Sequence, residues 1–201
     1  MQEPSISITN FTLNIHSPLK APMPALAVLG AALAAGGAMN AGAPTLADIP
    51  AIGQPWPGQG GINGGLVAAR GDVPEHYLII AAKDIGEHAW GGYREESKAT
   101  SKTDGKANTE WLCNEETEHP AANACAEYQA DGHHDYYLPA AAELYHCWVN
   151  CPEVFAQDCY YWSSSQRSAY SAFFMVFGDG GQDIGGKSTE LRVRPVRRLF
   201  I

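Results

Sequence analysis

From Ile49 onward the chain is broken at short intervals by glycine and proline, and this punctuation limits what it can fold into. The apolar runs left between the breaks, residues 62–68, 76–82 and 172–177, are each the length of one β-strand. They are too short for the helices of a bundle. The 21 glycines, 13 prolines, 9 tyrosines and 5 tryptophans of the 201 residues fit short strands joined by structured turns. Residues 69–74, Ala-Arg-Gly-Asp-Val-Pro, read as a hairpin loop between the first two runs. Their Arg70-Gly71-Asp72 tripeptide is short enough to arise by chance and carries no weight. Strand alternation puts Phe173, Met175 and Phe177 on one face and Phe174 and Val176 on the other. One of these faces is core; the other needs a covering loop or a partner. Tyr160-Tyr161-Trp162-Ser163-Ser164-Ser165 and the closing Arg192 to Arg198 block complete a set of three short antiparallel strands.

One helix is well marked. Pro139 suits a first turn, Glu143 and Leu144 follow inside it, and the helix stops before Pro152. Residues 93–135 are polar and read as a long irregular insert, with a short helix at about residues 121–128 and Trp111 as its anchor. Loops of this length in a compact domain carry function or disorder.

Charge narrows the partners. With 13 Lys plus Arg against 22 Asp plus Glu, the formal charge is -9, which argues against broad nucleic-acid or anionic-membrane binding. Charged residues make up only 17% and apolar ones 45%, so long solvated tails are not expected. Arg192, Arg194, Arg197 and Arg198 form a local basic strip, read as ion-paired with the acidic 95–118 stretch along a solvated strand edge.

The five cysteines, Cys113, Cys125, Cys147, Cys151 and Cys159, are an odd number, so no complete disulfide framework is possible within one chain. Cys147 and Cys151 with His146, and His133-His134-Asp135 upstream, invite a zinc or acid–base reading. The paired spacing of a structural zinc site is missing, so no metal and no cofactor is assigned. Neither a Gly-x-Ser-x-Gly turn nor a phosphate loop is present.

The first 48 residues have a different texture. Residues 1–20 alternate polar and apolar and read as an extended arm. Residues 21–47 carry no charge, and their Ala-rich centre, residues 25–35, is a strong helix former flanked by Pro22 and Pro24 and ended by Gly36-Gly37. A secretory leader would be shorter and more basic at its start, and a membrane span more apolar. The segment is read as a small-residue helix that docks the protein into an assembly, with an export or anchor segment as the alternative.

The order Leu138-Pro139, Glu143-Leu144, Trp162-Ser163-Ser164, an aromatic strand, Gly180, Lys187 and Arg-Val-Arg-Pro-Val-Arg-Arg resembles the C-type-lectin-like domain of bacterial and phage proteins. It is similar to the variable proteins of diversity-generating retroelements and to phage tail-tip receptor-binding proteins. The resemblance covers residues 49–201. It implies an α+β fold of small twisted antiparallel sheets with two helices, behind an N-terminal arm of residues 1–48.

The resemblance also implies a ligand-binding face between the Trp-Ser-Ser turn and the Arg-Val-Arg-Pro block. Carried over, its residues are Arg167, Tyr170, Ser171, Phe174, Val176, Asp179, Gly181, Asp183, Ile184, Gly185, Gly186, Ser188, Thr189 and Leu191. Trp162, Phe173, Phe177, Val193 and Val196 are scaffold. In retroelement systems adenine mutagenesis of Asn-type codons cannot yield Met, Trp, Lys, Gln or Glu. Gln166, Met175, Gln182, Lys187 and Glu190 are then fixed positions between variable ones. The calcium-chelating triplets of vertebrate sugar-binding lectins are absent, so Asp179 and Asp183 are read as turn residues. The formylglycine-generating enzyme shares the general fold but relies on a C-terminal cysteine pair, and this chain has no cysteine after Cys159.

The expected function is therefore non-enzymatic: a phage tail or virion receptor-binding or adhesion module showing residues 166–191 to a cell-surface protein or glycan. Residues 1–48 would join it to other virion or assembly proteins, or build a homo-oligomer. The alternatives are a capsid-decoration or tail structural protein, and a secreted or anchored bacterial lectin-like protein.

Overall fold

The computed structural model describes residues 49–201. The arm, the Ala-rich helix and the export or anchor alternative read for residues 1–48 lie outside the described residues. The described residues form a mixed α+β fold with three α-helices and two small, mostly antiparallel sheets. Among them no helix is long and apolar enough to cross a membrane.

The strands are β1 (Pro55–Trp56), β2 (Gly61–Val67), β3 (His76–Ala81), β4 (Glu87–Ala89), β5 (Tyr160–Gln166), β6 (Ser171–Val176), β7 (Gln182–Gly186), β8 (Glu190–Arg192) and β9 (Val196–Leu199). The helices are α1 (Gly105–Cys113), α2 (Pro120–Glu127) and α3 (Ala141–Asn150). One sheet has the order β1-β2-β3-β9, the other β4-β8-β5-β6-β7. The hairpin expected around residues 69–74 joins β2 to β3, closed by paired backbone bonds between Arg70 and Val73. Leu78, Ile79 and Ile80 are all fully buried because β3 is flanked by strands on both sides and covered on both faces.

Four sequence expectations need correction. The insert at 93–135 is not one loop with one helix. It carries α1 as well as α2, so the domain has three helices rather than two. Helix α1 starts where the Asp104 side chain accepts from the Ala107 amide at 3.0 Å, an N-cap that the polar composition of the segment concealed. Next, the Arg192 to Arg198 block is not one strand. Pro195 cannot donate to a ladder, and the chain leaves the five-stranded sheet after β8 and enters the other as β9. Third, β8 pairs with β5 in parallel rather than antiparallel fashion. Finally, the basic strip is neither solvated nor paired mainly with the 95–118 stretch. Arg194 and Arg197 are buried, and the partners are Asp84, Asp135, Asp104 and Glu143.

Two cores lie on opposite faces of the β5–β6 hairpin. Tyr161 and Met175 face each other in register and, with Phe177 stacked on Phe155 at 3.8 Å, pack against Leu144 and Cys147 of α3 and Leu78 and Ile80 of β3. Trp162 and Ala172 face the other way and pack with Trp90, Leu112, Ala121, Cys125 and Val193.

The helices meet at the Glu143 carboxylate. Its Oε2 accepts from the amides of Ala140 (2.8 Å) and Gly105 (3.1 Å), and its Oε1 from the Tyr137 hydroxyl (2.8 Å) and Arg198 (3.1 Å). Arg198 also pairs with Asp104 at 2.8 Å. One buried side chain thus ties the starts of α1 and α3 to β9. Desolvation raises its pKa, while the Ala140 amide and the Arg198 guanidinium pull it down. A methyl group at Gly105 would collide with this carboxylate, so the approach of α1 requires glycine there. Glu143→Ala leaves the Ala140 and Gly105 amides and the Tyr137 hydroxyl without their acceptor, and we expect it to cost about 3–5 kcal/mol in urea denaturation. A loss below about 1 kcal/mol would show that the hub is dispensable.

Candidate ligand-binding face

The site candidates follow from the register of the five-stranded sheet. Tyr160 lies opposite Val176, and Trp162 opposite Phe174; on the next strand Phe174 lies opposite Asp183, and Ala172 opposite Gly185. These residues share one sheet face, and His88 lies opposite Leu191 in the β4–β8 pair. At one end of the face Trp162 is fully buried and its Nε1 donates to the carbonyls of His88 and Thr189. Toward the other end Phe174 rests edge-on against Tyr160 at 5.2 Å and against Trp162 at 6.2 Å, and Tyr160 is half exposed. The apolar pair Phe174 and Val176 is therefore partly open to solvent.

None of the residues carried over from the resemblance is buried. The structure does not bring them all together. Phe174, Val176, Asp183 and Gly185 share the exposed face. Ser171, Ile184 and Gly186 take the opposite register. Arg167 and Tyr170 sit in the β5–β6 turn, and Ser188 and Thr189 in the β7–β8 turn; both turns lie at the same end, joined by the Lys187 amide donating to the Tyr170 carbonyl. Asp179 and Gly181 lie in the β6–β7 turn at the other end of β6, where the Asp179 carboxylate accepts from the Gly181 amide at 2.9 Å. Asp183 likewise accepts from the Ile184 amide. Six strand residues separate the two ends by about 20 Å. This is an extended face, not a pocket. The recesses among the described residues are lined by other side chains, such as His76 and His146 or Cys113 and His134.

Gly185 belongs to the scaffold rather than to the contact set. A methyl there would lie 2.8 Å from the Trp162 ring and 3.3 Å from Phe174. Two exposed aromatics escape a reading of the sequence alone. Tyr160 adjoins the face, and Tyr93 packs edge-on against Tyr170 at 5.7 Å. Only the length of the Tyr160-Tyr161-Trp162 run hints that one aromatic points outward.

The face is held from behind by buried polar groups. Lys187 is fully buried; its Nζ donates to Gln166 Oε1 (2.7 Å) and to the carbonyls of Glu95 (2.7 Å) and Gly92 (3.3 Å), and lies 4.6 Å from the Trp90 ring centre. Burial lowers its pKa, opposed by Glu96, Glu115 and Glu95. Gln166 accepts from the Ser97 amide and donates to Glu96 Oε2. Glu96 in turn accepts from the Ala169 amide at 3.0 Å, which fixes the turn that carries Arg167 and Tyr170. The three serines after Trp162 are also buried. Ser163 donates to the Phe173 carbonyl, Ser164 accepts from Asn108, and Ser165 bridges the Ser101 carbonyl and the Ala141 amide. Trp162, Phe177, Val193 and Val196 are buried as scaffold, whereas Phe173 is half-buried beneath the Lys102 ammonium at 3.8 Å.

The remaining candidates are engaged elsewhere. His133 contacts the Gly58 carbonyl and Asp135 pairs with Arg197. All five cysteines are unbridged, and burial raises every one of the thiols, Cys151 to about 11. Among the described residues no cluster of three or more His, Cys, Asp or Glu side chains has the arrangement of a metal site.

No protein-family model matches this chain, and no curated protein is significantly similar to it.

The two roles predict opposite responses to mutation. Lys187→Met removes the donor of the Glu95 carbonyl and one of the two donors at both Gln166 Oε1 and the Gly92 carbonyl, and is expected to cost about 3 kcal/mol, whereas Tyr170→Ala and Ile184→Ala stay within about 0.5 kcal/mol. Chemical denaturation measures both. Equal losses would erase the distinction between scaffold and face.

Proposed function

We propose that this chain is a non-enzymatic binding protein, in which a C-type-lectin-like domain presents residues 166–191 to a protein or glycan on a bacterial cell surface. One observation carries the reading. Along 166–191 the proposed contact residues are all at least partly exposed, while Gln166, Met175 and Lys187, which the retroelement pattern would hold fixed, are buried. Gln182 and Glu190 are exposed fixed positions, although Gln182 donates to the Ala141 carbonyl of α3. A rigid scaffold with an exchangeable surface is what such a segment needs.

The chemistry of the surface suits recognition of a large ligand. Tyr93, Tyr160, Tyr170 and Phe174 offer contact area with few rotors to freeze, and the serines and glycines of the turns adapt hydrogen bonds. An extended face fits a macromolecule better than a small substrate. Catalysis of the kind carried out by the formylglycine-generating enzyme needs a reactive thiolate, and burial disfavours that ion at all five cysteines. The setting that fits is a phage virion or a bacterial cell surface. Residues 1–48 would join the domain to an assembly whose repeated copies multiply weak contacts.

Beads carrying the purified full chain, offered a panel of bacterial strains, test the reading. The expected result is retention of a subset of strains, reduced at least about tenfold by combined Tyr170→Ala and Ile184→Ala substitution with the melting temperature little changed. Retention of no strain, or retention indifferent to both substitutions, would contradict it.

A further inference from the structure

The β2–β3 hairpin and α3 enclose a recess of about 330 Å³. That is the lower end of the ~300–1,000 Å³ range of small-molecule sites. No residue of 166–191 lines it, so it is separate from the sheet face. Leu66, Val67 and Val73 of the hairpin and Ala142 of α3 give it apolar walls.

Its polar groups are unevenly used. His76 lines the recess and is only 2% exposed. Along β3 it shares its register face with Leu78 and Ile80, the residues that pack toward α3. Its Nδ1 lies 2.8 Å from the Pro74 carbonyl, which can only accept, so Nδ1 carries the proton and Nε2 presents a lone pair. That Nε2 is buried and has no hydrogen-bond partner among the described residues. A buried acceptor left unpaired is uncommon and calls for a donor.

His146, in the same recess, is already satisfied by the Gly64 carbonyl and the Asn150 amide. The Glu143 oxygens are taken by four donors. No carboxylate in the recess is therefore free to hold a cation. Arg70 is exposed at the hairpin tip, and its guanidinium makes no ion pair or hydrogen bond among the described residues. The Thr103 hydroxyl, also on the lining, is likewise unengaged among them.

We propose that this recess binds a small hydroxylated carboxylate of sugar size, a uronic acid in chemical class. The planar fork of Arg70 suits a carboxylate. A ligand hydroxyl donates to His76 Nε2, and a second pairs with Thr103. The C–H face of the ring lies on Leu66, Val67 and Val73. The site stands independently of the sheet-face reading, because the two share no residue.

Titration of the isotope-labelled full chain by amide NMR tests it, with glucuronate, glucose and acetate as the probes. Glucuronate is expected to shift, saturably, the amides of residues 66–76, 103 and 142–146. It should bind about tenfold or more tighter than either glucose, which lacks the carboxylate, or acetate, which lacks the ring hydroxyls. Arg70→Gln should reduce glucuronate binding to the level of glucose without changing the melting temperature. His76→Phe, which keeps the ring but not the acceptor, should weaken both sugars. Should His76→Phe not fold, Arg70→Gln, at an exposed position, decides alone. The proposal is overturned by the absence of saturable shifts in the recess, by glucose binding as tightly as glucuronate, or by indifference of glucuronate binding to Arg70→Gln.

Discussion

The carboxylate of Glu143 is the interaction on which the architecture depends. A charge taken out of water must be matched by donors or neutralised, and here it meets two amides, a phenol and a guanidinium. Each donor comes from a different place: the start of α1, the start of α3, the Tyr137 segment before α3, and β9. Because the last strand of one sheet and the two helices share this acceptor, their relative placement is fixed by chemistry as well as by apolar packing. Apolar contacts alone tolerate sliding; a four-donor carboxylate does not.

The same device recurs beneath the proposed binding face. Lys187 is buried among carbonyl and amide oxygens rather than beside a carboxylate, and it draws residues 92–95 against the end of β5. Gln166 and Glu96 extend the network to the turn at 167–170. The outcome is a surface whose shape is set from behind. Side chains on its outer side carry little of the stability and are free to differ in chemistry without disturbing the fold. The small serines after Trp162 serve the same end: the Ser163 and Ser165 hydroxyls bond to backbone groups of Phe173, Ser101 and Ala141, and Ser164 accepts from the Asn108 side chain.

Much of this was legible from local patterns. Residues 62–68 and 76–82 are apolar runs of strand length bounded by turn residues, so β2 and β3 could be read directly. Pro139 and Glu143 marked α3. What escaped was polar and buried. The inward residues of α1 include Gly105, Asn108 and Thr109 beside Leu112, so no apolar period announces the helix. Strand β7, Gln-Asp-Ile-Gly-Gly, is an exposed sheet edge with a single apolar residue. The split of the closing block into β8 and β9 depends on which sheet each half reaches, a non-local matter that spacing does not encode. The exposure of the carried-over site residues agrees with alternation on β6, but their division between two registers and three turns, and the role of Gly185 beneath Trp162, needed the packing.

The central claim is that buried polar groups hold the exposed turn at 167–170 rigid, and hydrogen exchange tests it most directly. The amides of Ser97, Gln166 and Ala169 bond to Gln166, to the Ala99 carbonyl and to Glu96, respectively. They are predicted to exchange orders of magnitude more slowly than an unbonded turn amide, and to lose that protection in Lys187→Met while β2 and β3 keep theirs. Rapid exchange of these amides in the unmodified protein would contradict the account.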